Sequence, residues 1–145
     1  MEDVFQKLIL MIRAYYPVLY LHSYEYYRTK QKIKGIVELL RREGKKVNYY
    51  QWDCVYGLVQ ILPDKTEKRI ERMQNPLEVL AYILNSKKSG EKNIFVLDDI
   101  NNHIDRDEVK LMFRKIAEAT NNNTHAIILS SIYRLPAELE KYITV

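Results

Sequence analysis

Two adjacent carboxylates, Asp98 and Asp99, follow the apolar run 94–97 and are the side chains of this sequence best placed to do chemistry. A buried strand that ends in acids can hold Mg²⁺ and orient water, as phosphoryl-transfer enzymes require. Ser130 and Ser131 end a second apolar run, at a position where such folds often carry a polar sensor of the terminal phosphate. Serine is also common at strand ends for ordinary turn reasons, so the serines alone do not establish a sensor.

The phosphate-binding loop that should accompany these acids is missing. A nucleotide-binding sheet of this kind opens with a strand followed by G-x-x-x-x-G-K-[ST], whose backbone N–H groups, lysine and hydroxyl hold phosphates and Mg²⁺. Here the first strand-like run, 17–21, leads into residues 22–28, which contain no glycine. Because Mg²⁺ bound by one or two carboxylates relies on substrate phosphates to complete its shell, we interpret Asp98 and Asp99 as caps or ion-pair partners.

The remaining metal-binding and nucleophilic side chains are isolated in the sequence. His22, His103 and His125 lack the i, i+4 spacing and the cysteine neighbours that are typical of zinc sites. The single cysteine, Cys54, has no histidine linked to it in a nucleophile pattern, so we interpret it as a small buried hydrophobe. One cysteine excludes an internal disulfide and agrees with a reducing compartment.

Basic residues concentrate between Arg28 and Lys46, although the net charge of the chain is only +4. The simplest interpretation is a solvated helix face, since cations stabilise the negative end of a helix dipole. The alternative is a nucleic-acid site in which cations contact phosphates and tyrosines stack on bases. The candidate residues are Lys32, Arg41, Arg42 and Lys46 for phosphates and Tyr24, Tyr26 and Tyr27 for bases.

These side chains are positioned by strands that alternate with amphipathic helices. The pattern predicts helices over 3–14, from the first strand to Gly44, over 76–85 after an Asn75 cap, after capping residues 105–108, and over 136–142. Asn121, Asn122 and Asn123 should end the fourth of these helices. Strands are predicted over 17–22, 47–52, 93–98 and 126–131, with a short strand at 58–62. The stretch 86–92 reads as a loop, and the charged stretch 64–72 as a connection.

Strands that are apolar on both faces predict an α/β domain with three layers and a mostly parallel sheet. Functional groups in such a sheet gather beyond the carboxyl ends of the strands. A length of 145 residues suits one domain, residues 1–145. No apolar run approaches the roughly 20 residues of a membrane-spanning helix, and the acidic start lacks a secretory signal, so we expect a cytoplasmic location without membrane contact.

Short motifs also follow one another in a definite order along nearly the whole chain. They are Ile-Arg-Ala-Tyr-Tyr-Pro at 12–17, Glu25 with Arg28, Trp52 with Gly57-Leu58, Pro76-Leu77 with Leu80, Phe-Val-Leu-Asp-Asp at 95–99, and Leu-Pro-x-Glu-Leu-Glu at 135–140. In this order and spacing the chain resembles the N-terminal module of AAA+ ATPases of the plastid and cyanobacterial open-reading-frame type and of their bacterial and archaeal relatives.

The resemblance implies a degenerate, AAA-like P-loop NTPase core that lacks the Walker A loop and precedes an AAA+ domain with a working phosphate loop. It identifies Asp98 and Asp99 with the Walker B position and Ser130 and Ser131 with the first sensor position. Residues 22–28, at the Walker A position, are incompatible with that task. The resemblance also implies that the strand at 126–130 lies between those at 18–22 and 94–98. The abrupt end at 143–145 is typical of a fragment of a longer parent.

The leading hypothesis is therefore a non-catalytic interaction or regulatory domain of an AAA+ ATPase. Its expected partner is an AAA+ domain of the same or a neighbouring chain, with a homo-oligomer also possible. We expect no cofactor for this chain alone, while the parent protein would use Mg-ATP. Two alternatives stay open: a nucleotide-binding or weakly ATP-hydrolysing domain that uses Asp98 and Asp99, and a nucleic-acid-binding module that uses the Arg28–Lys46 cluster.

Overall fold

A computed structural model of the chain describes residues 2–119 and 123–143. The helices are α1 (Glu2–Arg13), α2 (Tyr26–Arg42), α3 (Pro76–Ser86) and α4 (Asp107–Glu118). The strands are β1 (Val18–His22), β2 (Val47–Asp53), β3 (Gly57–Ile61), β4 (Glu67–Glu71), β5 (Lys92–Asp98) and β6 (Thr124–Ser130). None of the helices in these ranges is long and apolar enough to cross a membrane.

The strands form one mixed sheet in the order β1-β6-β5-β2-β3-β4. β1, β6, β5 and β2 are parallel to one another, whereas β3 and β4 run antiparallel to their neighbours. The prediction that β6 lies between β1 and β5 is confirmed, with His22 opposite Ser130 and Asp98 opposite Leu129. The carboxyl ends of four strands consequently meet at one edge of the sheet, which we call the carboxyl edge.

Helices cover both faces of this sheet, as the apolar strands predict. On one face α1 and α2 bury residues such as Leu8 and Ile33 against Leu19 of β1. On the other face α3 and α4 bury residues such as Phe113 against Phe95 of β5. Complete burial of a side chain of this size contributes about 1.5–3 kcal/mol. The two apolar layers fix the sheet and with it the position of the carboxyl edge.

Two predicted helix boundaries have the expected chemistry. Oδ1 of Asn75 accepts the N–H of Leu77 at 2.9 Å, and Pro76 occupies the first turn of α3. Gly44 follows α2 with φ +87°, a conformation that glycine adopts without strain. The predicted cap of α4 is wrong: Arg106 precedes the helix without a side-chain cap, and the nearby acids instead lie in the first turn.

The charged stretch 64–72 is not a simple connection, because it contains strand β4. Oδ1 of Asp64 accepts the N–H of Thr66 at 3.0 Å, and Lys65 has φ +71°, so the chain turns tightly back onto β3. Charged residues suit β4 because it is an edge strand, where charge prevents further strand pairing. Hydrophobic alternation therefore gave no signal for this strand.

Four further expectations need correction. The predicted helix over 136–142 is a 3₁₀ turn, Ala137–Leu139, that buries Leu139, and the predicted loop after α3 contains a 3₁₀ turn, Lys87–Ser89. Cys54 is exposed rather than buried, since it lies in the turn between β2 and β3. α4 ends at Glu118, before the asparagine run; Asn121 and Asn122 lie outside the described residues.

Candidate functional site

Asp98 ends β5 at the carboxyl edge, and its charge is already neutralised from within the chain. The ammonium of Lys30, on α2, forms an ion pair with Oδ2 of Asp98. The side chains are 22% and 13% exposed, so little water screens this pair. Burial raises the pKa of Asp98 above its ordinary value, and the neighbouring Lys30 opposes that rise. Lys30 is thus an ion-pair partner of the kind that the sequence interpretation of Asp98 requires.

Asp99 is held by a second residue of α2. The backbone of Asp99 is left-handed, with φ 58°, and its N–H donates to the carbonyl of Leu129 on β6 at 2.9 Å. Oδ1 of Asp99 accepts a hydrogen bond from the hydroxyl of Tyr26 at 2.5 Å. Tyr26 and Lys30 are four residues apart, which places them on the same face of α2. One helix face therefore contacts both carboxylates.

The two serines at the end of β6 also have internal partners. Ser130 is buried, and its Oγ accepts the N–H of Ile132 at 3.1 Å. The N–H of Ser131 donates to the Tyr26 hydroxyl at 2.9 Å, and the carbonyl of Ser131 accepts from Nε2 of His22 at 2.8 Å. The hydroxyl of Ser131 lies 3.4 Å from that of Tyr26. The structure thus brings Ser131 and Asp99 together around one tyrosine.

The loop between β1 and α2 uses its backbone N–H groups internally. The N–H of Ser23 donates to the carbonyl of Ser130 at 3.0 Å, and the N–H of Glu25 donates to Oγ of Ser23 at 3.1 Å. The N–H of Thr29 donates to the Glu25 carbonyl in the first turn of α2. These three amides are consequently not available to a phosphate, and the loop carries side chains where a phosphate-binding loop carries glycines.

A buried tyrosine fixes the segment that follows β6. The hydroxyl of Tyr20 donates to the carbonyl of Ile132 at 2.6 Å and accepts from Nδ2 of Asn101 at 2.8 Å and from the N–H of Arg134 at 3.1 Å. Burial raises the pKa of Tyr20, so the phenol stays protonated and able to donate. These hydrogen bonds hold the backbone of the segment that carries the exposed side chains of Ile132 and Tyr133.

Large exposed side chains also lie at the carboxyl edge. They belong to the segments that follow β1, β2 and β6, whose ends meet there. Tyr24 is 79% exposed and Tyr56 is 63% exposed, which is unusual for residues of this size. We call this set the edge patch; its members are Tyr24, Tyr27, Val55, Tyr56, Ile132 and Tyr133.

The structure separates the candidate stacking tyrosines from Arg41 and Arg42, two of the four candidate cations. Tyr24, Tyr26 and Tyr27 lie at the start of α2, whereas Arg41 and Arg42 lie at its end, about 20 Å away along the axis. Three of the four cations already have partners within the chain. Arg41 donates twice to the Val47 carbonyl, Lys46 pairs with Glu91 at 3.3 Å, and Lys32 lies 5.0 Å from the centre of the Phe5 ring.

Sequence reasoning found the acids and serines but missed Tyr26 and Lys30 as their partners. The available signal was their i, i+4 spacing directly after β1, on the helix that must begin at the carboxyl edge. Among the described residues, no three His, Cys, Asp or Glu side chains form a group suited to a metal ion.

Comparison with known proteins identifies relatives of this chain. A family model described as "SpoVK-like AAA ATPase, N-terminal domain" matches residues 4–145. A protein of Guillardia theta, "Uncharacterized AAA domain-containing protein ycf46", is 26% identical over 138 residues, which cover 94% of this chain and 25% of that protein. A protein of the same name from Trieres chinensis is 26% identical over 140 residues, covering 96% of this chain and 26% of that protein. The chain spans about a quarter of the length of these curated relatives.

Proposed function

Because this chain belongs to the family of SpoVK-like AAA ATPase N-terminal domains, we propose that it is a non-catalytic domain that binds and regulates an AAA+ domain of the same or a neighbouring chain. One observation carries the proposal. Lys30 and Tyr26, on a single face of α2, hold the two carboxylates that a nucleotide site would use for Mg²⁺. In this proposal the domain keeps an ATPase-like core, with Asp98 and Asp99 at the Walker B position, and uses it as a scaffold.

The residues at the carboxyl edge do not fit Mg-ATP. A metal ion at Oδ2 of Asp98 would have to displace Lys30, and the displaced ammonium would then lose its buried counter-charge. The amides of Ser23 and Glu25 would also have to leave their present acceptors before they could bind a phosphate. Both changes oppose nucleotide binding.

The edge patch supplies the surface for a protein partner. Exposed tyrosine is enriched in protein interfaces because its ring contributes contact area while its hydroxyl can still form hydrogen bonds. The patch lies on segments held by internal hydrogen bonds, such as those from the N–H groups of Val55 and Tyr56 to Oδ1 of Asp53 at 2.8 and 2.7 Å. A partner therefore meets an ordered surface and little ordering entropy is lost on binding.

Binding between separately produced segments tests this function. The 145-residue chain is titrated with the AAA+ segment of the same parent protein, and the variants Tyr56→Ser and Ile132→Ser are compared with the unchanged chain. We expect each substitution to weaken binding by about tenfold, equivalent to about 1.4 kcal/mol. Leu10→Ser is the matched control, because Leu10 is equally exposed, at 62%, but lies on α1. Absence of binding, or an equal loss in the control, would contradict the proposal.

A specific observation favours nucleotide binding as the second candidate function. Oδ1 of Asp98 is buried and has no hydrogen-bond partner among the described residues, so this carboxylate oxygen would gain a missing partner from a ligand. In this alternative the chain binds a nucleotide weakly through Asp98 and Asp99. Direct titration with Mg-ATP separates the two candidates.

A further inference from the structure

A basic cavity lies at the opposite edge of the sheet, where the parallel strands begin. Its volume is about 310 Å³, and the charged side chains in its wall are Arg13, Lys45, Lys46, Glu91 and Lys92. Arg13 ends α1, Lys45 and Lys46 precede β2, and Lys92 opens β5. Three separate elements thus deliver cations to one cavity, which we call the amino-edge pocket. Its residues take no part in the contacts described at the carboxyl edge.

Lys92 is the most buried of the cations that line this pocket. It is 9% exposed, and its ammonium lies 2.9 Å from Nε2 of His125, 3.4 Å from the Ile12 carbonyl and 5.2 Å from the centre of the Tyr15 ring. None of the ion pairs in the described part of the chain involves Lys92. Burial, reinforced by the charge of Lys45, lowers the pKa of Lys92 to about 8, so the ammonium is still mostly charged near neutrality.

The neighbouring histidine acts as a neutral acceptor for this ammonium. Nδ1 of His125 lies 2.7 Å from the Tyr16 carbonyl and must carry the ring proton to form a hydrogen bond with it. Nε2 then accepts from Lys92. Burial, followed by the charge of Lys92, lowers the pKa of His125 to about 4. The imidazole thus solvates Lys92 but supplies no negative charge.

The carboxylates next to the pocket are fewer than its cations. Glu43 binds Arg13 at 2.6 Å, and Glu91 binds Lys46 at 3.3 Å and Asn48 at 2.7 Å. The ion pairs of the described residues include no carboxylate partner for Lys45 either. Two positive charges, those of Lys45 and Lys92, therefore remain without a matching carboxylate beside an open cavity.

We propose that the amino-edge pocket binds a small multivalent oxyanion of the phosphate class, with Lys45 and Lys92 as its main cationic contacts. A doubly charged oxyanion matches the two uncompensated cations in charge, and its oxygens can accept hydrogen bonds from several ammonium groups at once. The cavity volume suits a free phosphate or the phosphate group of a small molecule. This inference does not depend on the proposed function of the carboxyl edge.

Pyrophosphate is the probe that tests this site. The ¹⁵N-labelled chain is titrated with pyrophosphate at constant ionic strength, and binding is followed by backbone amide shifts. We expect saturable binding with shifts centred on residues 90–93, and a loss of about tenfold or more in affinity for Lys45→Gln and Lys92→Met. In the unchanged chain, the pKa of Lys92 should rise when pyrophosphate binds, because the anion stabilises the charged ammonium.

The controls separate a site from general charge attraction. Lys68→Gln removes an exposed lysine from the edge strand β4 and should leave pyrophosphate affinity unchanged. Lys45 is exposed, so its substitution remains informative even if Lys92→Met fails to fold. An oligothymidylate without terminal phosphates tests a nucleic-acid source of the phosphate. No saturable binding of pyrophosphate, an equal loss for Lys68→Gln, or binding of the oligonucleotide alone would overturn the proposal.

Discussion

The hydroxyl of Tyr26 donates a 2.5 Å hydrogen bond to Oδ1 of Asp99 and thereby joins the first turn of α2 to the residue that follows β5. The same hydroxyl accepts the N–H of Ser131 at 2.9 Å. A hydrogen bond to a carboxylate is shorter and stronger than one between neutral groups. One side chain consequently links the segments after β1, β5 and β6 at the carboxyl edge of the sheet.

Tyr26→Phe should destabilise the fold, because it leaves Asp99 and the Ser131 amide without this partner. We expect the free energy of unfolding to fall by about 1–3 kcal/mol, measured by urea denaturation. Tyr27→Phe is the matched control, since Tyr27 is 76% exposed, and its effect should stay within about 0.5 kcal/mol. Equal effects of the two substitutions would show that the hydroxyl of Tyr26 contributes nothing.

Lys30→Met should have a larger effect, because it leaves the charge of Asp98 buried and unpaired. Breaking a buried ion pair on one side costs about 3–5 kcal/mol. The loss should shrink in acid, where Asp98 becomes protonated, and Asp98→Asn should restore part of the stability in the double variant. Lys34→Met, one turn further along α2, is the control. A neutral-pH stability of Lys30→Met close to that of the control would contradict the buried-pair account.

His125 should make the unfolding free energy depend on pH. Its pKa is lowered to about 4 in the folded chain from an ordinary 6.5, so the unfolded chain binds more protons between these values. The stabilising contribution is therefore complete above about pH 6.5 and is lost as the pH falls towards 4, by about 3 kcal/mol at most. Comparing the unchanged chain with His125→Gln from pH 7.5 to 4 isolates this term. If the unfolding free energies of the two proteins changed in parallel with pH, His125 would not be the source of this pH dependence.

Single-stranded nucleic acid should bind only weakly and should be released steeply as salt rises. Stacked tyrosines would each contribute about 1–3 kcal/mol per base, an effect that resists salt better than a lysine contact does. Because Tyr24 and Tyr27 lie far from Arg42 and Lys46, we expect Tyr24→Ala and Tyr27→Ala to leave binding unchanged. A strong loss at physiological salt would favour nucleic-acid recognition.

Local sequence patterns were sufficient for much of the scaffold. Continuous apolar runs, helical spacing, the Asn75 cap and Gly44 predicted most elements, and alternating strands and helices placed Asp98 and Ser130 at a common edge. The strand order followed from the resemblance to AAA+ ATPase modules. Those features depend on neighbours in sequence or on a topology shared by a whole family.

The contacts that neutralise the site were not predictable in the same way. Lys30 and Asp98 are 68 residues apart, and Tyr26 and Asp99 are 73 apart, so only the folded sheet brings them together. Strand β4 was missed because an edge strand needs charge more than alternating apolar residues. The exposure of Cys54 depends on the position of the β2–β3 turn, which composition does not determine.

Calorimetric titration of the 145-residue chain with Mg-ATP decides whether the carboxyl edge is a nucleotide site. Because Lys30 and Tyr26 hold the two carboxylates and the sequence has no phosphate-binding loop, we expect no saturable heat of binding. Asp98→Asn is measured in parallel, since any heat that arises at this edge should disappear in that variant. Binding with a Kd in the low micromolar range, equivalent to a binding free energy of about −8 kcal/mol, would show a working nucleotide site if Asp98→Asn abolished it. That result would contradict the proposed non-catalytic role of the domain.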